Sequence, residues 1–249
     1  MKRSYLIFGI LVLLIFSAAN ALETPSGEWI LKQVDKNIGS DNKISVGAMI
    51  IHGRRGSRTI KSKSWLKGTN ISFTEYLAPA RERGTKMLKL ADELWTYSPS
   101  TDRIIKISGH MLRQSVMGSD FSYEDMMEDP EMHKLYEAEV IAEETYDERL
   151  CWVLELTARD DDIAYYSRKV WVDKERFIAL KEQRYARSGK LLKTTEISDV
   201  IMVQNRWVPR KMLFKDVLKG GKGTEFLLES IEFNADIPDH IFTKAALRK

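Results

Sequence analysis

Apolar and polar residues along this chain follow two different periods, separated by one stretch that follows neither. In "SGEWILKQVDKNIG", Trp29, Ile30, Val34 and Ile38 fall near helical spacing and Ser26 stands where an N-cap belongs, which predicts a short amphipathic helix. From Lys43 onward the period drops to two. "KISVGAMIIHG" and "SRTIKSKSWLKG" flank Gly53-Arg54-Arg55-Gly56 as a hairpin, and "TNISFTEYLAP", "RGTKMLKLADELWTYSP" and "DRIIKIS" follow, each bounded by Gly, Pro, Asn or Asp. Alternation resumes near Leu135 in "HKLYEAEVIAEETYD", "RLCWVLELTAR", "YYSRKVWVDKE", "FIALKEQRYARSGKLLKTTEISDV", "IMVQNRWVPRKMLFKDV" and "GTEFLLESIEFN". Leu150, Trp152, Leu154 and Leu156 share one strand face, which belongs to a core or a cavity. Ser188-Gly189 and Asn205-Arg206 predict hairpin turns, and Pro209, which cannot donate to a ladder, predicts a strand end or an edge. Short, regularly spaced strands of this kind predict an antiparallel meander or barrel.

Between Ser108 and Pro130 the alternation fails. Met111, Leu112, Ser115, Val116 and Ser119 stand at roughly helical offsets until Gly118 loosens the pattern, so short helices or an ordered loop are expected, ended by Pro130. Four of the chain's 10 methionines lie in "GHMLRQSVMGSDFSYEDMMEDP". Methionine is unbranched and polarisable, and a surface rich in it can repack around ligands of varied shape. The same residues would serve equally as a packed plug at the open end of a barrel.

Composition narrows the setting. Met1-Lys2-Arg3, the apolar run Tyr5 to Phe16 and the A-x-A-like Ala19-Asn20-Ala21 predict a cleavable secretory signal over residues 1–21 and an exported, periplasmic protein from residue 22. Without Lys2 and Arg3, 37 basic residues face 36 acidic ones, so the formal excess of +3 nearly vanishes. With no basic stripe or RNA-binding motif, nothing points to nucleic acid. One cysteine, Cys151, rules out a disulfide framework within the chain and reads as a small buried thiol. No linker-like stretch divides residues 22–249, which predicts a single domain.

Candidate chemistry is sparse. His52, His110, His133 and His240 are scattered, with no H-E-x-x-H or H-x-H pattern, and no serine sits in a G-x-S-x-G elbow. Asp160-Asp161-Asp162 lacks the spaced ligands and turn glycine of a calcium loop and reads as a solvated turn. "KGGKGTE" lacks phosphate-loop spacing and precedes a strand, so it reads as a hairpin turn. No catalytic residue, metal ligand or cofactor is expected.

The block "APARERGTKMLKLADELWTYSPSTDRIIKISGHMLRQSVMGSDFSYEDM", Ala78 to Met126, with weaker echoes in "VQNRWVPRKM" and "DIPDHIFT", resembles the outer-membrane lipoprotein-sorting protein family, relatives of the periplasmic lipoprotein carrier LolA. The resemblance implies a mainly β fold, a single open, strongly curved antiparallel half-barrel closed by short helices that form a lid over an apolar cavity. It implies a carrier of lipid or lipoprotein acyl chains, with transient membrane contact and an inner-membrane export or efflux-type transporter as partner. On that reading Met111, Leu112, Val116, Met117, Phe121, Met126 and Met127 form the lid, within residues 108–130. Trp65, Phe73, Leu88, Leu90, Trp95, Tyr97, Ile105 and Ile107 are the candidates for the cavity wall, and Arg81 and Arg83 for its mouth, where they could meet a phosphate or an acidic partner. A lipid-sensing or transporter-regulating module without cargo transfer is the alternative, and a hydrolase built on scattered carboxylates a third class.

Overall fold

The computed structural model describes residues 24–53 and 56–249; the expected signal peptide lies outside them, as do Arg54 and Arg55 of the first hairpin turn. Helix α1 (Gly27–Ile38) leads into β1 (Asn42–Gly53), β2 (Gly56–Lys67), β3 (Ile71–Ala78), β4 (Lys86–Leu90), β5 (Glu93–Ser98) and β6 (Arg103–Ile107). An insert follows, with 3₁₀ turns at Gly109–Arg113 and Val116–Gly118 and the short helices α2 (Tyr123–Met127) and α3 (Met132–Leu135). The second run is β7 (Tyr136–Tyr146), β8 (Arg149–Ala158), β9 (Ser167–Asp173), β10 (Ala179–Tyr185), β11 (Leu191–Val203), β12 (Arg206–Asp216) and β13 (Thr224–Phe233). Among the described residues all 13 strands form one antiparallel sheet, ordered β6-β5-β4-β3-β2-β1-β13-β12-β11-β10-β9-β8-β7. β1 pairs with β13, so two meanders fuse at their first and last strands and the edges are β6 and β7.

The insert connects those two edges, and its contacts show how far the sheet curls. Lys89 of β4 donates to the carbonyls of Met126 and Met127 at 3.4 and 3.1 Å, while Arg168 of β9 pairs with Glu128. Eight strand spacings separate β4 from β9, about 38 Å in a flat sheet at ~4.8 Å per strand. Met126 to Glu128 supplies only about 7 Å of backbone. The sheet therefore wraps around the insert, and the face that carries the insert is its inside.

α1 closes the other part of the inside. Ile30, Leu31 and Val34 are buried against Tyr136, Trp152, Leu154, Leu156, Val170 and Val172. Each such side chain contributes roughly 1.5–3 kcal/mol as an upper estimate. Gly27 is required where α1 meets β7, because a Cβ there would stand 2.4 Å from the carbonyl oxygen of Ala138. Ser26 caps the helix by accepting from the Trp29 amide at 3.3 Å, so Ser26→Ala is expected to cost about 1 kcal/mol, read as a lower urea midpoint at unchanged slope. Trp29 itself is 46% exposed and meets Phe177 edge-on, and Leu31 takes the buried position that helical spacing assigned to the tryptophan.

Two further expectations need correction. Leu150 is 55% exposed at the start of β8, so the buried face there begins at Trp152. Pro209 lies within β12, an interior strand, opposite Val200 where the register of β11 slips at Asp199. The slip interrupts the ladder, which removes the need for a donor at that position. Cys151 is buried on the outer face, its thiol pushed up to about 11 by burial and by the nearby Asp173 charge.

A cleft inside the sheet and the insert that covers it

Strand register decides which residues can line a site. Ser45, Ser64, Thr74 and Met87 stand opposite one another across β1 to β4, and this row faces inward with Met49, Ile60 and Tyr76. The adjacent row, Ile44, Trp65, Phe73, Leu88 and Trp95, faces outward. Six of the eight wall candidates, Trp65, Phe73, Leu88, Leu90, Trp95 and Tyr97, therefore lie on the face opposite the insert. There they pack under the C-terminal segment, where Ala235, Ile237, Phe242 and Leu247 are buried. The outer face is apolar because the chain's own tail covers it. Of the remaining two, Ile107 is buried beneath the insert, and Ile105 shares its inward parity but is 44% exposed near the β6 edge.

All seven lid candidates meet in one cluster. Val116 is buried, and Met111, Leu112, Met117, Phe121, Met126 and Met127 pack with it on Met49, Ile60, Tyr76, Met87, Leu94 and Ile107. Phe121 adds edge-on contacts to Phe214 and Phe226, with ring centroids 5.3 and 5.6 Å away. The local sequence builds this shape. Met117 and Gly118 take left-handed backbone conformations, and Ser122 and Asp125 form a capping box that starts α2.

Polar contacts hold the insert to both meanders. On one side, Lys89 binds the end of α2 and Arg58 donates to the Met117 carbonyl. On the other, Asp125 accepts from the Tyr165 hydroxyl at 2.5 Å and Arg184 at 3.3 Å, and pairs with Lys193. Arg184 also binds Glu182 at 2.9 Å, and Arg168 joins Glu182 at 2.5 Å to Glu128. Burial alone would raise the Asp125 carboxyl, but the Lys193 charge and the Ser122 and Tyr165 hydroxyls hold it below the usual carboxylate range. Burial likewise opposes Glu182, and Arg184 and Arg168 overcome it, bringing its pKa down to about 2. Glu128 is pushed up, burial outweighing Arg168 and Arg184. Asp125, Glu128, Glu182, Arg168, Arg184 and Lys193 are not among the sequence-based site residues; Asp125 with Glu128 reads in the sequence only as charged surface. One signal was present: Arg168 shares strand parity with the buried Val170 and Val172, where an unpartnered charge would be costly.

Beside the insert, the inside of the sheet leaves a cleft of about 450 Å³. Val116, Phe121 and Met126 form its insert side, with Met49, Ile60 and Phe226 among its sheet residues. Its size falls within the range of small-molecule sites, and it sits under the segment in which methionines concentrate. Arg81 and Arg83 line no part of it; the Arg81 side chain is 86% exposed, and Arg83 donates to the Leu77 carbonyl at 3.2 Å. Of the histidines, His133 binds Asp35 of α1 at 2.7 Å, and His52 bridges its cross-strand neighbour Ser57 and Glu225 at 2.8 and 2.7 Å. Glu225 also pairs with Lys211 at 2.7 Å, making this a polar cluster at the β1–β2 hairpin end of the sheet.

These features define an open antiparallel sheet curled around a helical insert, with a largely apolar cleft beside that insert. A family model described only as an uncharacterized protein matches residues 68–249. The chain belongs to that family, and its fold is that of the LolA-like outer-membrane lipoprotein-sorting superfamily. It is similar to a DUF1329 family protein from Desulfovibrio piger, at 24% identity and a TM-score of 0.80 over 89% of this chain and 97% of the other. It is similar to an outer membrane lipoprotein-sorting protein domain from Vibrio parahaemolyticus, at 26% identity and a TM-score of 0.76 over 90% and 98% of the two chains. A LolA superfamily protein from Nitrosomonas europaea aligns at 24% identity and a TM-score of 0.73 over 90% and 100%. No curated protein matches the chain.

Proposed function

We propose that this chain is a periplasmic, non-enzymatic carrier that shields the acyl chains of a lipid, lipoprotein or lipid-like molecule in the inner cleft during transfer between membranes. The observation that carries this reading is the cleft itself, apolar on the side formed by Val116, Phe121 and Met126 and roofed by an insert bound to both meanders. The lipoprotein-sorting role in the name of the Vibrio relative supports it. Ten buried methylenes would contribute about 8 kcal/mol at ~0.8 kcal/mol each, before the cost of ordering ligand and insert. No bond needs to be made or broken for that work, so binding and release suffice. The insert acts as the lid, Met111, Leu112, Met117 and Met127 adapting its underside, and an inner-membrane transporter is the proposed donor or partner.

Mass spectrometry, native and then denaturing, on protein purified without detergent tests the reading. A stoichiometric lipid or lipopeptide is expected, released on denaturation; protein that is consistently empty and binds no added lipid would make the insert a packed plug. Met126→Asp places a charge on the lining, and the folded variant is expected to lose at least about tenfold in affinity for a fluorescent fatty acid. Unchanged affinity would remove the insert from the site.

A further inference from the structure

The hydroxyls that line the cleft all stand on its β1–β3 wall. Ser45, Ser64 and Thr74 are directly opposite one another across the three strands, and two residues along β2 from Ser64, Ser62 stands opposite Tyr76. The lining residues from the insert, Val116, Phe121 and Met126, are apolar, and so, Arg210 apart, are those from β12 and β13. The next inward pair, Met49 and Ile60, ends the polar rows. Ser45 and Met49 are four residues apart on one strand face, about 13 Å at ~3.3 Å per residue.

Within the chain these hydroxyls are satisfied only in part. Those of Ser64 and Thr74 lie 2.9 Å apart and bond each other, which uses one of their two O–H donors and leaves the other. Tyr76 is only 4% exposed, and its hydroxyl donates to the sulfur of Met87 at 3.4 Å, a weak acceptor. A cavity serving hydrocarbon alone would be more stable with Ala, Val and Phe at these positions, because a hydroxyl held from water without a full partner costs free energy. Charge is not what the lining offers a ligand. Both of its cations have partners within the chain, Arg210 pairing with Asp199 at 3.7 Å.

Resting on the carrier reading, we infer that the cleft holds its occupant by an uncharged acyl linkage, the carbonyl of an ester or an amide, bonded to the hydroxyls of Ser62, Ser64, Thr74 and Tyr76. The hydrocarbon chain runs on toward Met49 and Ile60, beside Phe121 and Met126. The carbonyl oxygen gives Tyr76 a stronger acceptor than a thioether, and takes the donor that the Ser64–Thr74 pair leaves over. A pure hydrocarbon matches neither, so the site discriminates against it.

Fluorescence titration with methyl cis-parinarate, its N-methylamide counterpart and 1,6-diphenylhexatriene, a hydrocarbon, separates the linkage from the chain. The paired variant Ser62→Ala with Tyr76→Phe is expected to lose at least tenfold in affinity for a carbonyl probe, about 1.4 kcal/mol, while diphenylhexatriene stays within about twofold. Ser64→Ala with Thr74→Val is expected to do the same, which keeps the test available if one pair misfolds. Whichever of ester and amide loses more in the variants is the linkage the row fits. An equal loss for all three probes would mean that the hydroxyls only shape the wall, and would overturn the inference. No loss for any probe, or free cis-parinaric acid bound tenfold more tightly than its ester by the wild type, would also overturn it and leave the carrier standing. A wild-type chain that binds none of these probes would overturn both.

Discussion

Asp125→Ala is expected to destabilise the folded chain by about 3–5 kcal/mol, measured as a fall in urea-unfolding free energy. Three carboxylates, Asp125, Glu128 and Glu182, face three cations, Arg168, Arg184 and Lys193, inside the curled sheet. The charges balance, and removing one carboxylate leaves a buried positive excess. Lys193 and Arg184 have side chains only 10% and 11% exposed, so solvent cannot take over the role of Asp125. The Tyr165 and Ser122 hydroxyls lose their acceptor in the same stroke, and α2 loses half of its capping box. The loss is therefore the cost of stranded partners and exceeds the net worth of the pair itself. Hydrogen exchange should show the insert, residues 109–127, losing protection before the strands do, because Asp125 ties it to the second meander. The control is Asp161→Ala at the exposed Arg187 pair, which should leave the urea midpoint unchanged. A midpoint for Asp125→Ala as high as that of the control would show that the network does not hold the insert.

That network also marks where sequence reading stops. Strand alternation is a local property, and it located the sheet; the failure of alternation from Ser108 to Pro130 located the insert, and Ser26 the helix start. Facing is not local in the same way. Both faces of β3, β4 and β5 carry apolar residues, one set meeting the insert and the other the tail, and a period of two assigns neither set to the inside. Choosing Trp65, Phe73, Leu88 and Trp95 selected the larger side chains, and the larger side chains belong to the tail's cluster. The true inner row is modest in sequence, since Ser62, Ser64 and Thr74 read as ordinary polar strand positions until the sheet curls over them. The ion network draws on strands β9, β10 and β11 and on the insert, so its members come together only through the curvature of the sheet.

The same charges set how the protein responds to acid. Glu182 has a folded pKa of about 2 against an ordinary 4.5, because Arg184 and Arg168 outweigh the desolvation that would otherwise raise it. A depressed carboxyl contributes stability that is fully present above its unfolded pKa and disappears as pH falls toward the folded one. Glu182 alone therefore accounts for roughly 3 kcal/mol that is present above pH 4.5 and mostly lost by pH 2. Asp125 is shifted down as well and acts in the same direction over the carboxylate range. Glu128 acts against them: its pKa is raised, so protonation relieves a buried charge in the folded state and offsets part of the loss. Urea-unfolding free energies measured from pH 6 down to pH 3 are expected to fall steadily, with Glu182→Gln giving a shallower slope from a lower starting value. Equal slopes for the variant and the wild type would mean that Glu182 does not titrate below its ordinary range, and that the two arginines are engaged elsewhere. A shallower slope would tie acid sensitivity to the contacts that hold the insert against the second meander.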